Sequence, residues 1–227
     1  MHRQSVFFIN EKKDSASAQL AHILKKCILQ VERPWSDIVF ICIGSDRITG
    51  DSLGPMIGHQ LSRFHWDHVY IYGTLDFPIH ALNLTETLKK LKTKHPSALF
   101  IAIDASLGSK KHVGYITVGI GPLLPGAGVH KNLPPVGDLS ITGILNVSGA
   151  FEHFMLQTTR LSCVVQMADT ITDGIAQVFC PSENQKCILP DSWCCPEETL
   201  PIVPVKTTGF AALSIEFYSG NDHSSPL

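Results

Sequence analysis

Two short runs constrain this chain more than anything else in it. Residues 37–43 read DIVFICI and residues 98–103 read ALFIAI. Apart from the leading Asp37, both are continuously apolar and rich in β-branched residues. A strand with one wet face alternates apolar and polar side chains, so a run without alternation is covered on both faces. Around them lie segments with helical spacing. Residues 14–30 place Leu20, Ile23, Leu24, Cys27 and Ile28 on one face, with Asp14, Ser15 or Ser17 as cap and Pro34 and Trp35 as the stop. Residues 52–64 carry Leu53, Met56, Ile57 and Leu61, with Pro55 in the first turn, where its missing N–H costs nothing. Residues 82–91 carry Leu82, Leu84, Leu88 and Leu91, and residues 150–179 read as mostly helical. Shorter strands are expected at 69–72, 114–118 and 141–147. Apolar strands alternating with helices predict an α/β fold, a three-layer α/β/α sandwich around a mostly parallel mixed sheet. The expected divisions are an N-terminal helical segment over 1–36, the α/β domain over 37–179, and an irregular Cys- and Pro-containing extension over 180–227. Within that extension, residues 211–218 are expected as an edge strand.

The chain has 227 residues and a formal net charge of −2. A general nucleic-acid or anionic-membrane binder carries a basic excess, and this one does not. No apolar run approaches the roughly 20 residues that span a bilayer. The N-terminal VFFI is too short for a secretory h-region and charges follow at once, so a cytoplasmic location is expected. Seven cysteines is an odd number, and a disulfide framework does not fit a reducing compartment. Cys42 lies inside an apolar strand and reads as core. Cys180, Cys187, Cys194 and Cys195 lack CxxC spacing and read as unpaired thiols.

In an open α/β sheet, function collects at the carboxyl ends of the strands. Two acidic segments fall there. GSDRITGDSLGP follows the first apolar run and carries Asp46, Arg47 and Asp51; IAIDASLG places Asp104 directly after the second. If the two strands are neighbours, Asp51 and Asp104 face one cleft. Two close carboxylates cannot both ionise cheaply, so one keeps its proton. Such a pair can activate water and protonate a leaving group, or bind a divalent metal. Asp51 also reads as a helix N-cap, and Asp46 and Asp104 as turn caps. Gly126, Gly128 and Val129 belong to PGAGVHKNLPP, a Gly/Pro-rich loop that lines a site or merely connects two strands. His130 in that loop would complete an Asp/Asp/His metal set or act as a base, and it reads equally as a solvated loop histidine. Neither GxxxxGK[ST] nor GxGxxG is present, which leaves nucleotide binding unsupported. No GxSxG elbow is present either, which disfavours a serine hydrolase.

The segments GSDRITGDSLGP, GTLDFPIHALNL, IAIDASLG and GPLLPGAGVHKNLPPVGDLSITGILNV resemble the YyaC-type sporulation family. The resemblance covers about residues 37–178. Through TGDSLGP, IAIDAS and PGAGV, the chain is similar in turn to the spore germination proteases. Those atypical aspartic-type peptidases degrade the small acid-soluble proteins that coat spore DNA. Their two catalytic aspartates match Asp51 and Asp104. By this resemblance the fold is phosphorylase/hydrolase-like, the kind also seen in hydrogenase-maturation endopeptidases. In those enzymes an acidic residue, an Asp and a loop His grip a metal, and Asp51, Asp104 and His130 match that trio in order. The chain is shorter than the germination proteases and shows no clear propeptide, so control by a removable pro-segment is not expected.

The resemblance implies a sporulation-associated peptidase with Asp51 and Asp104 catalytic. Asp46, Arg47, Gly126, Gly128 and Val129 would then bind substrate, the glycine-loop N–H groups facing a developing oxyanion. The implied partner is a protein or peptide, with small acid-soluble spore proteins as the class; a homo-oligomer is left open. Two other readings stand beside it. One is a non-catalytic sporulation factor that binds a peptide or protein. The other is a metal-assisted processing endopeptidase using Zn or Ni on Asp51, Asp104 and His130.

Overall fold

Alternation along the two apolar runs sorts their side chains into two separate cores. The structure is a computed structural model and describes residues 6–125, 133–149 and 151–179. In chain order the strands are β1 (Val6–Asn10), β2 (Asp37–Cys42), β3 (Val69–Tyr72), β4 (Ala98–Gly108), β5 (Tyr115–Ile120) and β6 (Leu139–Val147). The helices are α1 (Ala16–Leu29), α2 (Leu53–Leu61), α3 (Leu84–Lys94), α4 (Glu152–Gln157) and α5 (Leu161–Phe179). The two runs are β2 and the first part of β4, paired in parallel from Asp37↔Ala98 to Cys42↔Ile103. Ile38, Phe40 and Cys42 of β2 enter one core with Leu99, Ile101 and Ile103 of β4. Val39 and Ile41 enter the other with Ala98, Phe100 and Ala102. Each run is therefore buried on both faces, which is why neither alternates.

Helices α1, α2 and α5 cover the larger core with Leu20, Leu24, Ile57, Leu61, Ile171 and Ile175. Helix α3 covers the smaller core with Leu84, Leu88 and Leu91. The result is an α/β/α sandwich around a six-stranded sheet of order β1-β5-β6-β4-β2-β3. Strands β6, β4, β2 and β3 run parallel, and β5 runs against both β6 and β1. The chain leaves β2 through α2 on one face and leaves β3 through α3 on the other. A crevice consequently opens at the carboxyl ends of β2 and β4, the place where such sheets hold ligands.

The structure departs from the sequence reading in four places. The segment 1–36 carries an edge strand as well as its helix: Phe7, Ile9 and their neighbours form β1, paired with β5. Its VFFIN burial pattern is a one-sided strand, too short for periodicity to declare. Strand β4 continues to Gly108, so Asp104 sits within the strand rather than after it, because β6 pairs with it as far as Val147. Helix α3 begins at Leu84, and Leu82 is 81% exposed rather than part of its apolar face. The helical stretch after residue 150 is broken into α4 and α5. The expected edge strand at 211–218 and the rest of 180–227 lie outside the described residues. Among the described residues no helix is long and apolar enough to cross a membrane.

Candidate active site

The site forms where β2 stops and β4 does not. Cys42, the last residue of β2, lies opposite Ile103, so Asp104 is the first β4 residue past the end of its neighbour. Strand alternation sends its side chain to the face of Phe100 and Ala102, at the open end of the smaller core. On its other flank Asp104 pairs with Thr142 of β6, which holds its backbone in register.

Asp51 reaches the same place through a loop that folds back on β2. The Ile43 N–H donates to the Ile103 carbonyl at 2.7 Å and the Gly44 N–H to the Ile79 carbonyl at 2.8 Å. The Ser45 N–H then donates to the Asp51 carbonyl at 3.0 Å, and the Asp51 N–H to the Ile48 carbonyl at 2.9 Å. Gly44 has φ +140°, and a Cβ there would collide with the Asp51 carbonyl oxygen. At Gly50 a Cβ would sit 2.7 Å from the Leu156 carbonyl oxygen. These two glycines let the 3-10 turn Thr49–Ser52 lie directly against the end of β2 and against α4. No side-chain cap bond is made at the start of that turn or of α2, so the N-cap reading of Asp51 fails.

Asp51 and Asp104 line one cavity of about 290 Å³. Arg47, His80 and His153 line it too, and Ile43, Ile48, Leu133 and Leu156 supply apolar wall. Burial pushes the Asp51 carboxyl up to about 6, and the Ser45 N–H and His153 offset part of that rise. Burial also pushes Asp104 well above the ordinary carboxylate range; the Asp51 charge adds to the rise, and the Ala105 N–H opposes it. Burial raises both acids and the Asp51 charge raises Asp104 further, so Asp51 gives up its proton first and Asp104 keeps its own.

Of the residues singled out in the sequence, the structure brings Asp51, Asp104 and Arg47 to one cavity. Asp46 is exposed and does not line it. Gly126, Gly128, Val129 and His130 lie outside the described residues. Among the described residues no group of three or more His, Cys, Asp or Glu side chains is placed to hold a metal ion. Two histidines on the wall escaped the sequence reading. His80 lies in the PIHAL stretch after β3, a strand-end position that could have flagged it. Its Nδ1 accepts the Leu82 N–H at 3.3 Å, so the neutral ring carries its proton on Nε2. His153, on α4, also comes after a strand end, that of β6, and the sequence reading passed over it as part of a helical stretch.

The fold can be set beside a solved structure of the NiFe hydrogenase maturation protease HycI from Thermococcus kodakarensis KOD1. Sequence identity is 16% and the TM-score 0.40, with 66% of this chain and 98% of that one covered. The uncharacterized protein YyaC of Bacillus subtilis (strain 168) is 43% identical over 169 residues, which is 74% of this chain and 82% of that protein. Residues 8–174, from β1 through most of α5 and including every described residue of the carboxylate cavity, match the family described as "Protein of unknown function (DUF1256)", and the chain belongs to that family.

Proposed function

We propose that this chain is a sporulation-associated peptidase that hydrolyses peptide bonds with Asp51 and Asp104. The observation that carries the reading is a pair of carboxyls lining one cavity, both raised by burial, Asp104 raised further by Asp51. Above pH 6 Asp51 is ionised and Asp104 keeps its proton. This division supplies a base and an acid at once near neutral pH. Asp51 takes a proton from water as the water oxygen adds to the peptide carbonyl carbon. Asp104 gives its proton to the carbonyl oxygen. The gem-diol intermediate then collapses: one hydroxyl returns its proton to Asp104 as the C=O bond re-forms, the C–N bond breaks, and the leaving amine takes the proton held by Asp51. The His80 Nε2–H is a donor for the developing oxyanion. Arg47, which has no ion-pair partner among the described residues, binds an anionic group of the substrate. The described residues do not make a three-ligand metal set, and no step here runs through a metal.

The test is cleavage of purified small acid-soluble spore proteins by the wild type and by Asp51→Asn, side by side. Cleavage by the wild type that vanishes in the variant is the expected result. Cleavage that survives Asp51→Asn, or no cleavage by either protein, would overturn this reading for that substrate class.

A further inference from the structure

The carboxylate cavity does not end at its own wall. His80 lines it and also lines a second, larger groove of about 580 Å³. That groove lies at the end of β3 and the start of α3, between Tyr72, Thr74, Phe77, Pro78 and Ile79. Among the described residues, β3 is the last strand of the sheet on this side. The groove and the cavity therefore share His80, with the end of β3 lining the groove and Asp51 and Asp104 lining the cavity.

The rim of this path is unusually apolar. Phe77, in the groove, is 81% exposed, as is Leu82 in the cavity wall. Leu124, Phe151 and Phe154 are also exposed. Leu124 precedes the wall residue Pro125, and Phe154 follows the wall residue His153. Large apolar side chains left in water around a concave polar centre mark a surface built to be covered. The cavity itself, at about 290 Å³, is at the small end of the range of roughly 300–1,000 Å³ for small-ligand sites, with room for a side chain or two.

We infer that the groove and cavity together seat an extended polypeptide segment with large apolar side chains, one in the groove against Tyr72, Phe77 and Pro78 and one at Leu82 beside the carboxylates. An extended chain fits because the groove begins at the end of β3, whose outer edge pairs with no other strand among the described residues, and includes His80, whose Nε2–H can donate to a peptide carbonyl. An apolar segment fits because Phe77 and Leu82 stand exposed along the path, with Asp76 as the one carboxylate that lines the groove and the other charged groups, Arg47, Asp51 and Asp104, at the cavity. The inference rests on the peptidase reading for its substrate class and extends it: the substrate is an unfolded or extended apolar stretch rather than a charged, folded surface.

The test measures binding apart from cleavage. Full-length Asp51→Asn is titrated into a fluorescent ten-residue peptide carrying Phe and Leu at alternate positions, and into the same peptide with Ser in their place. The apolar peptide should bind at least about tenfold more tightly, the factor expected for burying one large apolar side chain. Phe77→Ser and Leu82→Ser, both at exposed positions, should each cut that preference about fivefold or more without lowering the melting temperature. Equal binding of the two peptides, or a preference untouched by both substitutions, overturns the inference. A concentration-dependent dimer that the same substitutions dissolve, and that excludes the peptide, also overturns it by assigning the surface to a second copy. Selective binding without any cleavage by the wild type sinks the peptidase reading and leaves the groove. Cleavage that ignores the apolar positions sinks the groove and leaves the peptidase.

Discussion

Strand β2 has a carboxylate at each end of its path. At the amino end, Asp37 opens the strand. It accepts a hydrogen bond from the Ser36 hydroxyl at 2.9 Å and pairs with His68 Nδ1 at 3.0 Å. Burial would raise its pKa, but the His68 and Ser36 hydrogen bonds outweigh it and hold the carboxyl below its ordinary range. At the carboxyl end, Asp51 and Asp104 face a largely apolar wall and each other, and both are raised. A third carboxylate, Asp138, is likewise supplied with partners. It takes Arg33 at 2.6 Å and the Phe100 N–H at 2.9 Å. The same residue type is thus satisfied where it ties the sheet together and left short of partners where the crevice opens. Perturbed carboxyls collected in a cleft are what the proposed peptidase reading needs.

The comparison can be broken most sharply at Asp104. Asp104→Asn removes the proposed acid and should lower peptide hydrolysis by about 10²–10⁴-fold, the range for losing one acid–base group. A loss under tenfold in initial-rate assays would make Asp104 no different from a structural acid. The pH profile sharpens the point. The rate should rise through about pH 6 as Asp51 ionises, then fall at higher pH where Asp104 loses its proton. A rate flat from about pH 5 to 9 would remove the dyad.

Stability offers the next contrast, and the two ends should respond with opposite sign. Asp51 binds its proton more tightly folded than unfolded, so its charge opposes folding, and stability falls as pH rises from about 4 through about 6. Asp51→Asn should therefore raise stability at pH 8 by about 1–3 kcal/mol and change it little at pH 3. Thermal unfolding at the two pH values checks it. A variant less stable than the wild type at pH 8 would contradict the assignment. Gly44→Ala tests the loop that delivers Asp51. With φ +140° and a Cβ driven into the Asp51 carbonyl oxygen, it should cost about 1–3 kcal/mol by denaturant unfolding. The smallest effect belongs to Asp37→Asn. The Asp37 carboxyl is held low, so its contribution is present above about pH 4 and lost as pH falls below that. Because its partner His68 is half exposed, the loss at pH 8 should stay below about 1 kcal/mol.

Much of the fold and part of the site was legible before any coordinates. DIVFICI and ALFIAI carry their own burial, since only a strand covered on both faces tolerates such runs in water. The helical faces of α1 and α2, and that of α3 from Leu84 onward, were read for the same reason: apolar periodicity is a direct record of which side meets the core. Asp51 and Asp104 were singled out because strand ends are where an α/β sheet exposes polar groups, and because TGDSLGP and IAIDAS resemble the germination-protease blocks; the structure puts both on one cavity. β1 was not legible. Its five residues bury one face only, and they become a strand because β5 is there to pair with them. His153 was not legible either, because nothing along the chain says that α4 folds back against the 3-10 turn bearing Asp51. Local periodicity and turn chemistry are properties of neighbouring residues, so sequence alone determined the layers, the parallel core strands and the two acids. Which acids meet, which histidines join them and how far their proton affinities rise depend on contacts between segments remote in the chain and on the water those contacts exclude. Only the tertiary structure decided those, by stopping β2 one residue short of Asp104 and folding Asp51 back over the gap.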